Sequence, residues 1–251
     1  MVDSHCHLQH ERFDADRDAV LERAADAGIE RILVPGWDIA SSEAALALAA
    51  RHGPLVRAAV GVHPHHAAAT DAAGWRTLDD LARDPACVAI GEIGLDFFRN
   101  LSPPDAQRQA FDRQLALADA LGLPVLVHDR DAHDEVTAGL LARGGRRGGV
   151  LHAFSGDAAM ATVLRPRGFV VSFALPVAFR SATGPREAAR TVGADGYLVE
   201  TDAPYLGADR DARNEPTTAL RVAAEVGRLR GIDASRVAGD VRATYDGLFE
   251  A

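Results

Sequence analysis

Eight short, apolar, strand-like segments alternate with helix-like stretches along this chain, and that alternation restricts the fold more than any other feature of the sequence. The segments are 1–7, 31–36, 57–63, 88–95, 124–128, 149–153, 169–173 and 196–202. A strand followed by a helix and then another strand runs parallel to its predecessor, and eight such units close a (β/α)8 TIM barrel. The 251 residues suit one barrel without a second unit, so residues 1–251 are expected to form a single domain. The competing architecture is an open doubly wound sheet. It is disfavoured because no glycine-rich dinucleotide fingerprint follows the first strand.

Several helices carry readable ends. Ser41 or Ser42 can cap the run 43–52, which Gly53 stops. The run 104–121 has Phe111, Leu115 and Ala118 at helical spacing and ends at Gly122. A short helix is expected over 187–192. The last two, 217–230 and 234–249, are parted by residues 231–233, with Asp233 as N-cap.

The histidines and carboxylates fall where those strands end. His5 and His7 close strand one, Glu92 lies late in strand four, His128 and His152 end strands five and six, and Asp202 ends strand eight. In a parallel barrel these ends rim one mouth, the face on which this fold builds its sites. Strand alternation turns His5 and His7 the same way and Cys6 the other, so Cys6 is expected to pack in the interior. A single strand-end histidine is ordinarily a hydrogen-bonded residue. Six metal-competent side chains at one mouth predict a metal site at the C-terminal face.

All 27 basic residues are arginine. The absence of lysine excludes Schiff-base chemistry, lysine-dependent phosphate loops and a carboxylated lysine bridging two metals. Four imidazoles and two carboxylates overfill a mononuclear site, so two divalent ions are expected, with Glu92 as the shared carboxylate. His5, His7 and Asp202 are assigned to one ion and His128 and His152 to the other, with a water bridging the pair. Ligand type alone favours zinc or manganese over magnesium.

In order and spacing the segments Asp3-Ser4-His5-Cys6-His7-Leu8, Gly61-Val62-His63-Pro64-His65, Gly91-Glu92-Ile93-Gly94-Leu95-Asp96, Leu121-Gly122-Leu123-Pro124 leading to His128, His152-Ala153-Phe154-Ser155-Gly156, Glu200-Thr201-Asp202-Ala203-Pro204-Tyr205-Leu206 and Arg213-Asn214-Glu215-Pro216 closely resemble the TatD family of metal-dependent deoxyribonucleases, over essentially the whole chain. The resemblance implies a divalent-metal-dependent phosphodiesterase, in this family a 3′-to-5′ exonuclease on DNA with related activity on RNA ends, working with magnesium or manganese. It implies that Asp202 also accepts a proton from the attacking water, making Glu92 and Asp202 the catalytic carboxylates, and that His63, assisted by His65, contacts substrate phosphate.

Other polar residues near the mouth are candidates by position. Glu200 and Asp96 share the inward face and can orient ligand histidines. Arg99 and Arg130 follow strands four and five and can grip phosphate. Trp37 and Phe154 are expected to line the mouth. His10, His52 and His133 are expected at the surface, and for His65 and His66 a solvated loop is the alternative to a role. Where the family carries a basic stretch, this chain has residues 207–212 with two acids, and its net charge is −9. Long nucleic acid is therefore not an expected partner, whereas single-stranded or frayed DNA ends are. Two cysteines, no signal peptide and no spanning segment predict a cytoplasmic protein without a membrane or an obligate protein partner. The same chemistry leaves open an amide or ester hydrolase, such as an aminoacyl-tRNA deacylase, and a non-catalytic scaffold, against which the complete ligand set argues.

Overall fold

The computed structural model describes residues 1–143, 147–209 and 212–250. Its elements run β1 (Val2–Asp3), α1 (Arg17–Asp26), β2 (Arg31–Pro35), α2 (Ile39–His52), β3 (Val56–Val60), α3 (Ala72–Leu81), β4 (Cys87–Asp96), α4 (Pro104–Leu121), β5 (Val125–Arg130), α5 (His133–Arg143), β6 (Gly149–Leu151), α6 (Ala158–Leu164), β7 (Phe169–Phe173), α7 (Thr183–Thr191), β8 (Tyr197–Val199), α8 (Thr218–Arg230) and α9 (Ala234–Phe249). Strands pair in sequence order and in parallel. Main-chain bonds from Ser4 N to Val199 O (3.1 Å), Asp202 N to His5 O (2.9 Å) and His7 N to Ala203 O (2.7 Å) bring the first strand back to the last. The result is a nearly closed (β/α)8 barrel, as the alternation predicts. Both faces of the strands are covered, so β2, β5 and β7 carry consecutive apolar residues, at 32–35, 125–127 and 169–171, instead of alternating ones.

Several local boundaries differ from those expected: β3, β6 and β8 end at Val60, Leu151 and Val199, so His63, His152 and Asp202 lie just beyond their strands and not at the last paired residue. Regular pairing of β1 stops at Asp3, short of residue 7, and Cys6 makes an isolated bridge to Ala203. The cap of α2 is Asp38, whose carboxylate accepts from Ser41 N while Ser41 returns a bond to Asp38 N. This reciprocal capping box starts the helix a turn early and turns Ser41 into its third residue. Helix α7 starts at Thr183 and not at 187.

Two glutamines of α4 tie the helix layer to the mouth. Gln114 accepts from Val62 N (2.7 Å) and donates to Val62 O (3.0 Å), one residue before His63. Gln107 does the same at Asp96, with Oε1 at 2.8 Å and Nε2 at 3.1 Å. Buried backbone groups left without partners cost about 1–3 kcal/mol each. Gln114→Leu is therefore expected to destabilise the protein by about 2–4 kcal/mol, seen as a lower urea midpoint with an unchanged slope.

Strand β4 is irregular against β5 between Ile90 and Ile93, and the Gly91–Glu92 peptide there is cis. Such an irregularity re-aims a side chain. Here it falls on Glu92. The wall behind it is tight: a Cβ on Gly91 would lie 2.5 Å from Leu126 Cβ, and one on Gly94, at φ +134°, only 2.0 Å from His128 O. Among the described residues no helix is long and apolar enough to cross a membrane.

Candidate metal centre

The six strand-end residues converge. His5 Nε2 lies 3.3 Å from His7 Nε2, 3.4 Å from Glu92 Oε2 and 3.7 Å from Asp202 Oδ1. His7 Nε2 lies 3.6 Å from Glu92 Oε2 and 3.4 Å from Asp202 Oδ1. Ligands held at about 2.1 Å around a tetrahedral ion are spaced by about 3.4 Å, so this group has the edges that such an ion needs. On the other side of the same carboxylate, Glu92 Oε1 lies 3.0 Å from His128 Nδ1 and 2.9 Å from His152 Nε2, which are 3.2 Å from each other. Those edges approach the roughly 3.0 Å spacing of octahedral ligands at about 2.1 Å. Glu92 thus turns one oxygen to each set, and the donor set fits divalent ions.

A carboxylate lies beside the far ring nitrogen of each outer histidine. Asp96 Oδ2 sits 3.3 Å from His128 Nε2, and Glu200 Oε1 sits 3.4 Å from His152 Nδ1. A proton held on those nitrogens leaves the opposite ring nitrogen a free lone pair facing Glu92. Asp96 also accepts from His65 Nε2 at 2.8 Å, so His65 is paired and not merely solvated. His63 differs in kind. Its Nδ1 accepts from His65 N at 3.1 Å, which places the proton of the neutral ring on Nε2, 3.4 Å from Glu92 Oε1. His63, Glu92 and His128 are close enough to form a ligand group, but that tautomer makes His63 a donor.

Burial and opposed charges set the electrostatics. Burial pushes His63 down to about 3, keeping it neutral, and lowers His5 for the same reason. Burial alone would raise the Glu92 carboxyl, but His152, His63 and His128 outweigh it and hold it well below the usual range. Asp202 follows the same pattern, with His7 as the main opposing partner. His152 is raised well above an ordinary imidazole because Glu92 and Glu200 overcome its desolvation. The cluster therefore favours positive charge, which protons or metal ions can supply.

Local backbone shapes deliver these side chains. Asp202 and Ala153 adopt left-handed conformations, φ 54° and 42°, just beyond β8 and β6. Strain of this kind gathers where a fold must aim a group. Asn214 pins the Asp202 loop by donating to Thr201 O (2.9 Å) and Tyr205 O (2.8 Å), while Arg213 joins Asp16 and Glu215. The Arg213–Pro216 segment thus holds the loop. Buried Asp3 bonds Thr201 through both its oxygens, a clasp between the first and last strands that periodicity does not announce.

The mouth has two lobes sharing His128, His152 and Asp202. One, about 370 Å³, is lined by His63, His65, His66 and Arg99, with the rings of Trp37 and Tyr205. His10, expected at the surface, belongs to this lobe, its ring 5.6 Å from Tyr205. The other, about 500 Å³, is walled by Phe154, Phe173 and the segment leading to α7. Arg130 borders it and lies 4.2 Å over the exposed ring of Phe98. His133, also expected at the surface, is half-exposed and bonds Asp129 at 2.7 Å, and His52 lies 3.7 Å from Asp18. Of the acidic stretch 207–212, residues 210 and 211 lie outside the described residues.

Comparison with known proteins gives a concordant result. A family model described as TatD related DNase matches residues 2–250. The "3'-5' ssDNA/RNA exonuclease TatD" of Erwinia amylovora is 38% identical over 258 residues, covering 99% of each chain. The "uncharacterized metal-dependent hydrolase YabD" of Bacillus subtilis is 34% identical, covering 95% of this chain and 94% of its own. The crystal structure of YJJV, a TatD homolog from Escherichia coli, superposes with a TM-score of 0.94 at 32% identity, covering 100% of this chain and 98% of that one.

Proposed function

Because the chain belongs to the TatD-related DNase family of metal-dependent hydrolases, we propose that it removes nucleotides from the 3′ ends of single-stranded or frayed DNA, and of RNA, with two divalent ions of magnesium, manganese or zinc. The observation that carries this reading is Glu92, whose two carboxylate oxygens face separate sets of imidazoles. In this reading His5, His7 and Asp202 hold one ion, His128 and His152 the other, and Glu92 both. Bound divalent ions supply Lewis acidity toward phosphoryl oxygens and acidify water.

The chain's own groups supply the rest. Asp202 takes up a proton at its carboxylate as water is committed to attack. Asp96 and Glu200 keep the rings of His128 and His152 in their working tautomers. Neutral His63 donates from Nε2 to a phosphate oxygen, and Arg99 adds positive charge in the same lobe. His65, anchored on Asp96, holds His63 through its backbone N–H.

His63→Ala is accordingly expected to leave metal content at the parent value while kcat/KM falls about 10- to 100-fold, the worth of one charge-assisted hydrogen bond. Metal analysis beside steady-state kinetics checks it. The function itself is tested with a 5′-labelled single strand, a closed single-stranded circle and a panel of lactones and amides, each with added metal. Stepwise shortening from the 3′ end with the circle intact is expected. Equal cutting of the circle, or lactone hydrolysis without strand hydrolysis, would overturn the proposal.

A further inference from the structure

The two lobes differ in chemistry, and a phosphodiester has two different ends to place. A diester held at His128, His152 and Asp202 has two esterified sugars to place, and both lobes open from those shared residues. Every nucleotide further along the strand brings another phosphate. Those charges suit the lobe of Arg99, His63, His65 and His66, where Trp37 and Tyr205 offer faces to bases. The larger lobe suits the opposite. Its wall mixes Phe154, Phe173, Ala174, Pro176, Val177 and Pro185 with Asp129, Ser155, Ser181 and Thr183, and among its described lining residues Arg130 is the one arginine, its guanidinium over Phe98 and its charge offset by Asp129. At about 500 Å³ it falls within the roughly 300–1,000 Å³ span of pockets that enclose one small ligand, not a strand.

We propose that this less basic chamber receives the terminal nucleoside, the one part of the substrate with no further phosphate, and that the segment between β7 and α7 thereby restricts the enzyme to strand ends. The inference rests on the nuclease reading above and adds to it which lobe holds the released nucleotide. Apolar walls contribute through burial of the base and sugar faces, so recognition tolerates different bases. Ser181 and Thr183 are exposed residues on the chamber wall, outside the metal centre, where a large side chain can fill space without disturbing the core.

The test uses a 5′-labelled single-stranded dodecamer ending in a natural nucleoside, the same strand ending in an abasic sugar, and methyl p-nitrophenyl phosphate, a diester too small to need the chamber. For the parent enzyme, kcat/KM is expected to fall about 10- to 100-fold on losing the terminal base, the range measured for one stacked base. Ser181→Trp and Thr183→Trp should each lower kcat/KM on the natural strand by a similar factor. They should cause little further loss on the abasic strand and leave the small diester within about two-fold of the parent. Parent-like rates for both variants on the natural strand, or equal rates for the two strands with the parent enzyme, overturn the inference. Loss of the small-diester activity in both variants also overturns it, because the defect would then lie at the centre. If the parent hydrolyses the small diester but no oligonucleotide, the nuclease reading itself falls and this inference falls with it.

Discussion

Glu92→Gln is expected to abolish hydrolysis, with a rate loss on the order of 10³ or more, while the barrel stays folded. The carboxylate presents one oxygen to His5 and His7 and the other to His128, His152 and His63, all within 3.6 Å. An amide of the same shape removes the negative charge and replaces one oxygen by an N–H donor aimed at a ring-nitrogen lone pair. One set of ligands then loses its anion, and metal affinity falls on that side. The fold does not depend on this charge, since the core packs around apolar strands and the loops are held by Gln107, Gln114 and Asn214. Circular dichroism and thermal melting should match the parent, and metal analysis should show fewer than two ions per chain. Parent-level turnover with two ions retained would end the dinuclear reading.

Asp202→Asn separates proton transfer from ligation. Its backbone sits at φ 54°, a region that asparagine and aspartate enter more readily than other side chains, so the substitution leaves the loop in place. The amide oxygen remains a weak ligand near His5 and His7, but it cannot take up a proton at neutral pH. A rate loss of about 10²–10⁴ is expected, the span attributed to a general base, with the ion beside His128 and His152 retained. Single-turnover kinetics measured with metal content decide the matter. If the variant hydrolyses DNA at the parent rate with both ions bound, the proton goes elsewhere.

The barrel and the convergence of His5, His7, Glu92, His128, His152 and Asp202 were legible in the sequence because apolar periodicity marks the strands and these residues lie at or just past them, although regular pairing stops at Asp3, Leu151 and Val199, before four of the six. Less legible were features that depend on a bond between distant residues. Asp38 outcompetes Ser41 and Ser42 as a cap because the pair Asp38 and Ser41 satisfies two backbone donors at once. The donor tautomer of His63 depends on the direction in which His65 N points. His10 reads as a surface residue until the loop after β8 brings Tyr205 against it. The division of the mouth into two lobes is a property of loops packed across the barrel axis, and no local pattern encodes it.

The glycines behind Glu92 and His128 bear on how such a protein can change over generations. Adding even one methyl group at Gly91 or Gly94 drives it into Leu126 or into the His128 carbonyl. Variation compatible with any activity at this centre must therefore be concentrated in the segment beyond β7, while these wall positions stay fixed whatever substrate is selected. A randomised library of this chain, sorted for activity on any phosphoester, should return Gly91 and Gly94 almost unaltered and a wide spectrum of residues at Ser181 and Thr183.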